Sequence, residues 1–509
     1  MRQRAPRCVS IALFICCLGA AGACSAQSRT APAVNNIGYD MYFNAAPVND
    51  PACRMTGAGG KIRFDDAVSN PAMSCPDLLA WKIFIEVVQQ NFIQNWNSGD
   101  LMWPAIPLPL CSRTSGKPCC DPASDANPGY DNPSNPGQYC PYFPSQKNTW
   151  SATTPAPAGK RRDASRIAGM AEVHGNQTLA TLSLSFYNRP MYDYIFQNNL
   201  YNSSGLVDVL NNANADLLNN APFHAVRREG MLTAVNFPIS AWMIRSQWIS
   251  KEKAIAAGVR NNPQLPFIKV MIGAGRHDNF NSDVFAPGEY WLMSFHVSTK
   301  DTPPWFWANF DHVNSPGRCD YTGCNDGYGY VSANPIPRGM AQNYTNPATT
   351  VTPKGEAYVA DAVYASGAIS KQLDTLFAGA GIGTSEQSGA WPTPRSSAWR
   401  SYRLRASQWD FTDPAGRPTY NGATLSNGRI MTGTSCISCH ATAGTLASGV
   451  SPQILGVYFN WAGVPNPGNF NMNARPATNI ILQNDFVWGF MHTVPVTPRT
   501  TTAPAEAKR

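Results

Sequence analysis

Between Ser74 and Phe92 apolar residues recur every three or four positions, with Leu78, Trp81, Ile85 and Val88 on one face. That period predicts a helix whose apolar stripe faces a core. Ser74 is placed to cap it, Pro76 sits in the first turn, and Asp77 meets the positive end of the helix dipole. Further along the period shortens. The stretches ATLSLSFYN, ISAWMIRSQWI, LPFIKVMIG, YWLMSFHVST and PPWFWANFDHV are rich in aromatic and β-branched residues and predict strands. AISKQLDTLFAGAGIG predicts a short helix ended by glycine. Its GxGxG is not a dinucleotide fingerprint, because a helix precedes the glycines where a Rossmann turn needs one to follow. From Trp103 to Lys160 the chain is irregular and rich in Pro, Gly and Asn, which predicts a cysteine-stapled surface excursion. Near the C-terminus, TNIILQNDFVWGFMHT spaces Ile480, Ile481, Phe486, Val487 and Phe490 close to a helical face. The expected fold class is α+β: a large, β-rich mixed domain followed by a mostly helical segment.

Composition changes the picture in two ways. The 42 prolines and 40 glycines in 509 residues imply many loops and short strands, and the chain is ample for a full core. The N-terminus reads as a leader: MRQRAPR is a basic n-region, and CVSIALFICCLGAAGA is apolar, too short to span a bilayer, and ends in small residues. Residues 1–26 are therefore expected to be a signal peptide, and the mature chain exported to the periplasm. Within AAGACSAQ, cleavage after Ala26 would free the chain, whereas cleavage after Ala23 would leave Cys24 for acylation. Membrane contact is expected only through such a lipid anchor. Without the leader arginines Arg2, Arg4 and Arg7, 36 basic residues face 32 acidic ones. This balance, with KRR at 160–162 followed by Asp163, gives no nucleic-acid footprint.

An oxidising compartment gives the cysteines meaning. Of 14, three lie in the leader, Cys24 is the candidate lipid site, and Cys436 and Cys439 belong to one motif. The eight that remain, Cys53, Cys75, Cys111, Cys119, Cys120, Cys140, Cys319 and Cys324, suffice for four disulfides. Adjacent Cys119 and Cys120 should bond to different partners, and Cys319 and Cys324 should close a short loop. The motif itself is GTSCISCHATAG, residues 433–444. A zinc site would need a second ligand pair, which this sequence lacks, and a dithiol switch has no use for the histidine. CxxCH is the c-type haem signature: Cys436 and Cys439 face one way on a helical turn and can add to two vinyl groups of one porphyrin, and His440 can ligate its iron.

At this motif the chain resembles the cytochrome c domain, over the last hundred residues at most. The resemblance implies one covalent haem c with iron held by His440, bracketed by two helices. YNGATLSNGRIMTGTS, before the motif, is a poor helix; the segment 478–493 fits the closing one. In this family a methionine shortly before the last helix is usually the sixth iron ligand, which points to Met472 in GNFNMNARP, with Met491, His492, a large-domain histidine such as His296, or an open position as rivals. The expected organisation is a large aromatic-rich domain over 27–394, a haem segment over 395–498 and a disordered tail over 499–509. More widely, LLAWKIFIEVV, FHVSTKDTPPWFWANFDHV and SCISCHA resemble a group of exported bacterial monohaem proteins, a resemblance that brings no substrate with it.

One further stretch, FHVSTKDTPPWFWANFDHV, packs His296, Trp305, Trp307, Asp311 and His312 into a hairpin-like span. On a strand, Trp305, Trp307, Asn309 and Asp311 would share one face and Phe306, Ala308, Phe310 and His312 the other. It is either a hydrogen-bonded sheet face or a site beside the haem. GxSxG, Walker A and dinucleotide motifs are absent from the sequence. The expected function is single-electron transfer with a periplasmic partner protein; the alternative is a haem oxidoreductase of peroxide or oxygen chemistry with its substrate site in the large domain.

Overall fold

The computed structural model describes residues 53–123, 138–143, 181–220, 231–315, 326–331, 368–412, 419, 424–431, 435–452 and 463–496, with short breaks in several of these ranges. The expected signal peptide, Cys24, the 160–162 cluster, the Cys319–Cys324 pair and the 499–509 tail lie outside them.

The centre is a seven-stranded antiparallel sheet. Its strands are β1 (Asn97–Ser98), β2 (Leu182–Tyr187), β3 (Trp242–Ser250), β4 (Lys269–Ile272), β5 (Gly288–Thr299), β6 (Phe306–His312) and β7 (Tyr402–Gln408). The order runs β7-β6-β5-β3-β2-β1, and β4 pairs with the first part of β5. All five stretches read as strands from their composition form strands. The mixed class with an antiparallel sheet is therefore what the chain adopts.

One face of this sheet is apolar. Leu184, Phe295, Phe310 and Leu404 point to it, and α1 (Pro76–Gln89) packs across it. Trp81 meets Phe310 edge-on at 5.1 Å, and Phe84 lies 4.9 Å from Phe310 and 5.7 Å from Phe295. Leu78, Trp81, Ile85 and Val88 are all buried, as their spacing predicts. So are the residues between them, because α4 (Lys371–Ala380) covers the other side of α1, with Phe377 stacked on Phe84. Ser74 does not cap α1: it ends a preceding short turn, its hydroxyl donates to Asn70 O, and Cys75 occupies the cap position without a side-chain bond. Asp77 instead turns inward and accepts from Ser407 Oγ at 2.8 Å. Ser370 caps α4 and Gly381, at φ 69°, ends it in the left-handed conformation that glycine permits.

Three disulfides occur among the described residues, Cys53–Cys75, Cys111–Cys119 and Cys120–Cys140, so the adjacent pair does split between partners. A second apolar cluster lies toward the far edge of the sheet, where α2 (Arg189–Gln197) and α3 (Ser203–Asn220) meet Trp305, Trp307 and the segment 482–490. No described helix is long and apolar enough to cross a membrane.

The C-terminal part departs from the helical expectation. Residues 478–493 do not form a helix: Ile481–Gln483 is a strand paired with Gly444–Leu446, and Trp488–His492 is a single 3-10 turn. The break falls at Asp485 and Phe486, whose φ values of 46° and 66° no right-handed helix accommodates. The helix-like spacing arose because Leu482, Val487 and Phe490 face one apolar cluster from a strand, a turn and a 3-10 turn in succession, while Ile480 points out. The stretch before the motif is a hairpin, Thr424–Ser426 with Arg429–Met431, and its edge neighbour β7 belongs to the central sheet. The segment expected to carry haem thus shares a sheet with the large domain.

Candidate functional site

Cys436–His440 forms one helical turn, α5. Ser435 caps it, accepting from Ser438 N at 3.2 Å, as Ser is suited to do when its own backbone is extended. Five residues are too few to hold a helix alone, so its placement depends on the surroundings. Gln408, the last residue of β7 and fully buried, supplies the anchor: its Oε1 accepts from Ile437 N at 3.2 Å, and its Nε2 donates to Ser435 Oγ at 3.0 Å and to Thr419 O at 3.0 Å. The CISCH turn is thereby fixed to the end of the central sheet.

The histidine is held from two sides. Its Nδ1 lies 2.7 Å from Phe486 O. A carbonyl can only accept, so Nδ1 carries the proton and Nε2 bears the lone pair. Trp307, on β6, sets its ring 4.4 Å from the imidazole at 47°. On the other flank Trp488 Nε1 donates to Cys439 O at 3.1 Å. Fixing one imidazole nitrogen on a backbone carbonyl is the outer-shell arrangement that orients a metal-binding histidine through its other nitrogen.

The carbonyl that does this is itself held in place. Asp485 Oδ2 accepts from Phe237 N at 2.8 Å, and Oδ1 accepts from Lys300 Nζ at 2.5 Å and Trp305 Nε1 at 3.3 Å. Five non-glycine residues have positive φ among the described ones, and three of them, Trp305, Asp485 and Phe486, belong to this contact set. Each such conformation costs about 1–3 kcal/mol and persists only where neighbours impose it.

Burial dominates the electrostatics. It lowers the His440 pKa to about 4, with nearby Arg245 acting in the same direction and the Phe486 bond opposing, so the ring is neutral at physiological pH. Cys439, partly open at its surface yet enclosed on most sides, is raised to about 11 by burial, against the smaller pulls of Arg245 and the Trp488 bond. A thiol so protonated is a poor nucleophile, the reverse of the depressed pKa that redox-switch cysteines show. Cys436 and Cys439 stand outside the three disulfides. The donor set fits a covalently attached haem: two thiols three residues apart on one helical turn and a neutral imidazole with its second nitrogen engaged.

Other candidates fall elsewhere. Met472 lies in the turn after the short strand Phe470–Asn471, with 68% of its surface exposed, and no described contact joins it to α5. Met491 and His492 end the 3-10 turn, with His492 exposed. His312 is structural: Nε2 sits 3.2 Å from Leu265 O and from Pro266 O, and its ring stacks on Phe267. His296 lies on the opposite face to the apolar core, two residues along β5 from Ser298, the partner of Trp307. No group of three or more His, Cys, Asp or Glu that could hold a metal ion occurs among the described residues.

Gln408, Asp485, Phe486 and Arg245 escaped the reading of the sequence. For Arg245 a signal existed, since Arg245 and Gln247 alternate with apolar residues in ISAWMIRSQWI. For the Phe486 carbonyl none did, because a backbone acceptor leaves no trace in side-chain identity. No family model, curated protein or solved structure matches the chain.

Proposed function

We propose that this is an exported c-type monohaem protein, with haem attached through Cys436 and Cys439 and His440 as its axial ligand, that passes single electrons to and from a periplasmic partner. The observation that carries the reading is the 2.7 Å contact of His440 Nδ1 with Phe486 O, delivered by a turn whose left-handed backbone is held by Asp485. A neutral imidazole so oriented is what an axial ligand requires. The bound group would supply one-electron cycling of iron, its potential set by axial ligation, burial and hydrogen bonding. The chain's own part is to enclose the site with Trp307 and Trp488 and to fix the histidine tautomer. Met472 is the sixth-ligand candidate, brought over the iron by its exposed turn; acylated Cys24 would tether the protein to a membrane.

A second reading, a haem oxidoreductase with an open sixth position, is favoured by one observation: buried polar groups without partners, Asn309 and Ser294, lie on the sheet face that also carries Trp307.

Haem staining of a denaturing gel tests attachment. Colour should migrate with the full-length chain and vanish in Cys436→Ala/Cys439→Ala; colour only at the dye front, or retained in that variant, overturns the reading. Carbon monoxide added to the ferrous protein separates the two functions: an unchanged spectrum that becomes high-spin in Met472→Ala is the electron carrier, and immediate binding by the wild type is the enzyme.

A further inference from the structure

The central sheet has a second face, and it is polar. Side chains alternate across a strand, so the residues opposite Phe295, Phe310 and Leu404 share it. Three cross-strand rows follow from the register. Met243, Ser298, Trp307 and Gln408 form the row that touches α5. Two residues along, about 6.6 Å at strand rise, come Ser185, Arg245, His296 and Asn309. Ser183, Gln247, Ser294 and Asp311 make the next.

These rows are deeply buried. Asn309, Ser294 and Gln247 are 0% exposed and Asp311 is 1% exposed. Most have found partners: Asp311 pairs with Arg405 at 3.1 Å, and Gln247 bonds Thr181 and Ser183. Two have not. Neither the amide nitrogen nor the oxygen of Asn309 meets a hydrogen-bond partner, and neither does the Ser294 hydroxyl. Arg245 and His296, only partly buried, border them in register. Arg245 acts electrostatically on Cys439 and Cys436, which places its charge between this face and α5.

We propose that this face is a carboxylate site, in which the Arg245 guanidinium, the Asn309 amide N–H and the Ser294 hydroxyl donate to one carboxylate group. The Arg245 guanidinium supplies the planar fork that matches a carboxylate, and Asn309 and Ser294 supply the buried donors that lack acceptors. With Asp311 already matched by Arg405, Arg245 gives the face its positive charge. The assignment uses the sheet alone and does not depend on haem attachment. The carboxylate belongs either to a free organic acid or to a group attached at the neighbouring CISCH turn.

Acetate is the probe, with chloride at equal ionic strength as control, and binding is followed by calorimetry and by the shift in melting midpoint of the full chain. Asn309→Asp, near-isosteric but negative, and Ser294→Ala, which removes one hydroxyl, are the variants. A free acid as the natural ligand requires that the wild-type protein bind acetate and that each variant weaken it about tenfold or more, the loss of a hydrogen bond to a charged group. If haem-loaded protein is silent and Cys436→Ala/Cys439→Ala binds acetate, with the same loss when either variant is added, the carboxylate is carried by the attached group. Silence in both backgrounds, or acetate binding that survives both substitutions, overturns the site. Haem staining of the same preparations reads attachment independently, so failure of that reading is seen separately.

Discussion

Replacing Gln408 by methionine should unfasten the CISCH turn while keeping the volume of the side chain. Gln408 makes four hydrogen bonds, to Ile437 N, Ser435 Oγ, Thr419 O and Thr419 Oγ1. Two of these partners keep other bonds: Ser435 Oγ still meets Ser438, and Thr419 Oγ1 still donates to Asp410 O. The Ile437 N–H and the Thr419 carbonyl lose the partner that Gln408 gave them, in residues that are 0% and 1% exposed. A buried group left unsatisfied costs about 1–3 kcal/mol, and relief from burying the Gln408 amide offsets part of the sum. The expected loss is therefore about 2–4 kcal/mol. Urea unfolding of the purified chain, followed by tryptophan fluorescence, measures it as a lower midpoint at unchanged slope. Gln94→Met, at an exposed helix position, is the control and should stay within about 0.5 kcal/mol. A Gln408→Met loss below about 1 kcal/mol would refute the claim that β7 holds α5 through this residue.

Two further outcomes follow from the core. Gly329→Ala should destabilise strongly, because its Cβ would stand 2.2 Å from Trp81 Nε1 and 2.7 Å from Asp326 Oδ2, inside the most heavily packed part of the structure; an overpacking cost of about 1–3 kcal/mol or more is expected in the same urea assay, and a neutral result would mean the loop moves freely. Asp326 carries a pH signature: burial, then the nearby Asp77 charge, raise its pKa to about 7, against hydrogen bonds from Gly329 N, Tyr328 N and Trp81 Nε1. A carboxyl raised in the folded state binds more protons there than when unfolded, so its contribution to stability falls as pH rises from about 4 to about 7 and is level above. The stability difference between wild type and Asp326→Asn should shift across that window in favour of the variant; a difference independent of pH would exclude the titration.

The sheet was legible because its strands are long, aromatic and β-branched, and α1 because its apolar residues keep one period for four turns. The polar face was legible too, had the alternate positions been tracked together: Ser183 and Ser185, Arg245 and Gln247, Ser294 and His296, Asn309 and Asp311 stand at every second residue. The pairing of Trp307 with His440 was not, since contact between residues 133 apart in sequence follows from topology and not from spacing. Residues 478–493 misled for a related reason. A helical period and a strand followed by two tight turns can present the same residues to one apolar cluster, and only the left-handed pair at Asp485 and Phe486 distinguishes them.

That pair bears on why the site lies where it does. A sheet with one face covered by α1 would ordinarily leave its polar face to water, at no cost to the groups on it. Here that face is buried as well, with the Asn309 amide unpartnered, and within one register step the backbone holds Trp305, Asp485 and Phe486 in conformations disfavoured for their side chains. Unmet polar groups and strained residues each cost free energy that a purely structural sheet would shed by substitution. Their concentration around His440, with the rest of the described core packed in ordinary aromatic contacts, is what a fold shows when one region is shaped for something it must bind. The apolar face, α1 and the aromatic cluster then serve as the rigid support from which β6 and β7 aim Trp307 and Gln408 at the CISCH turn.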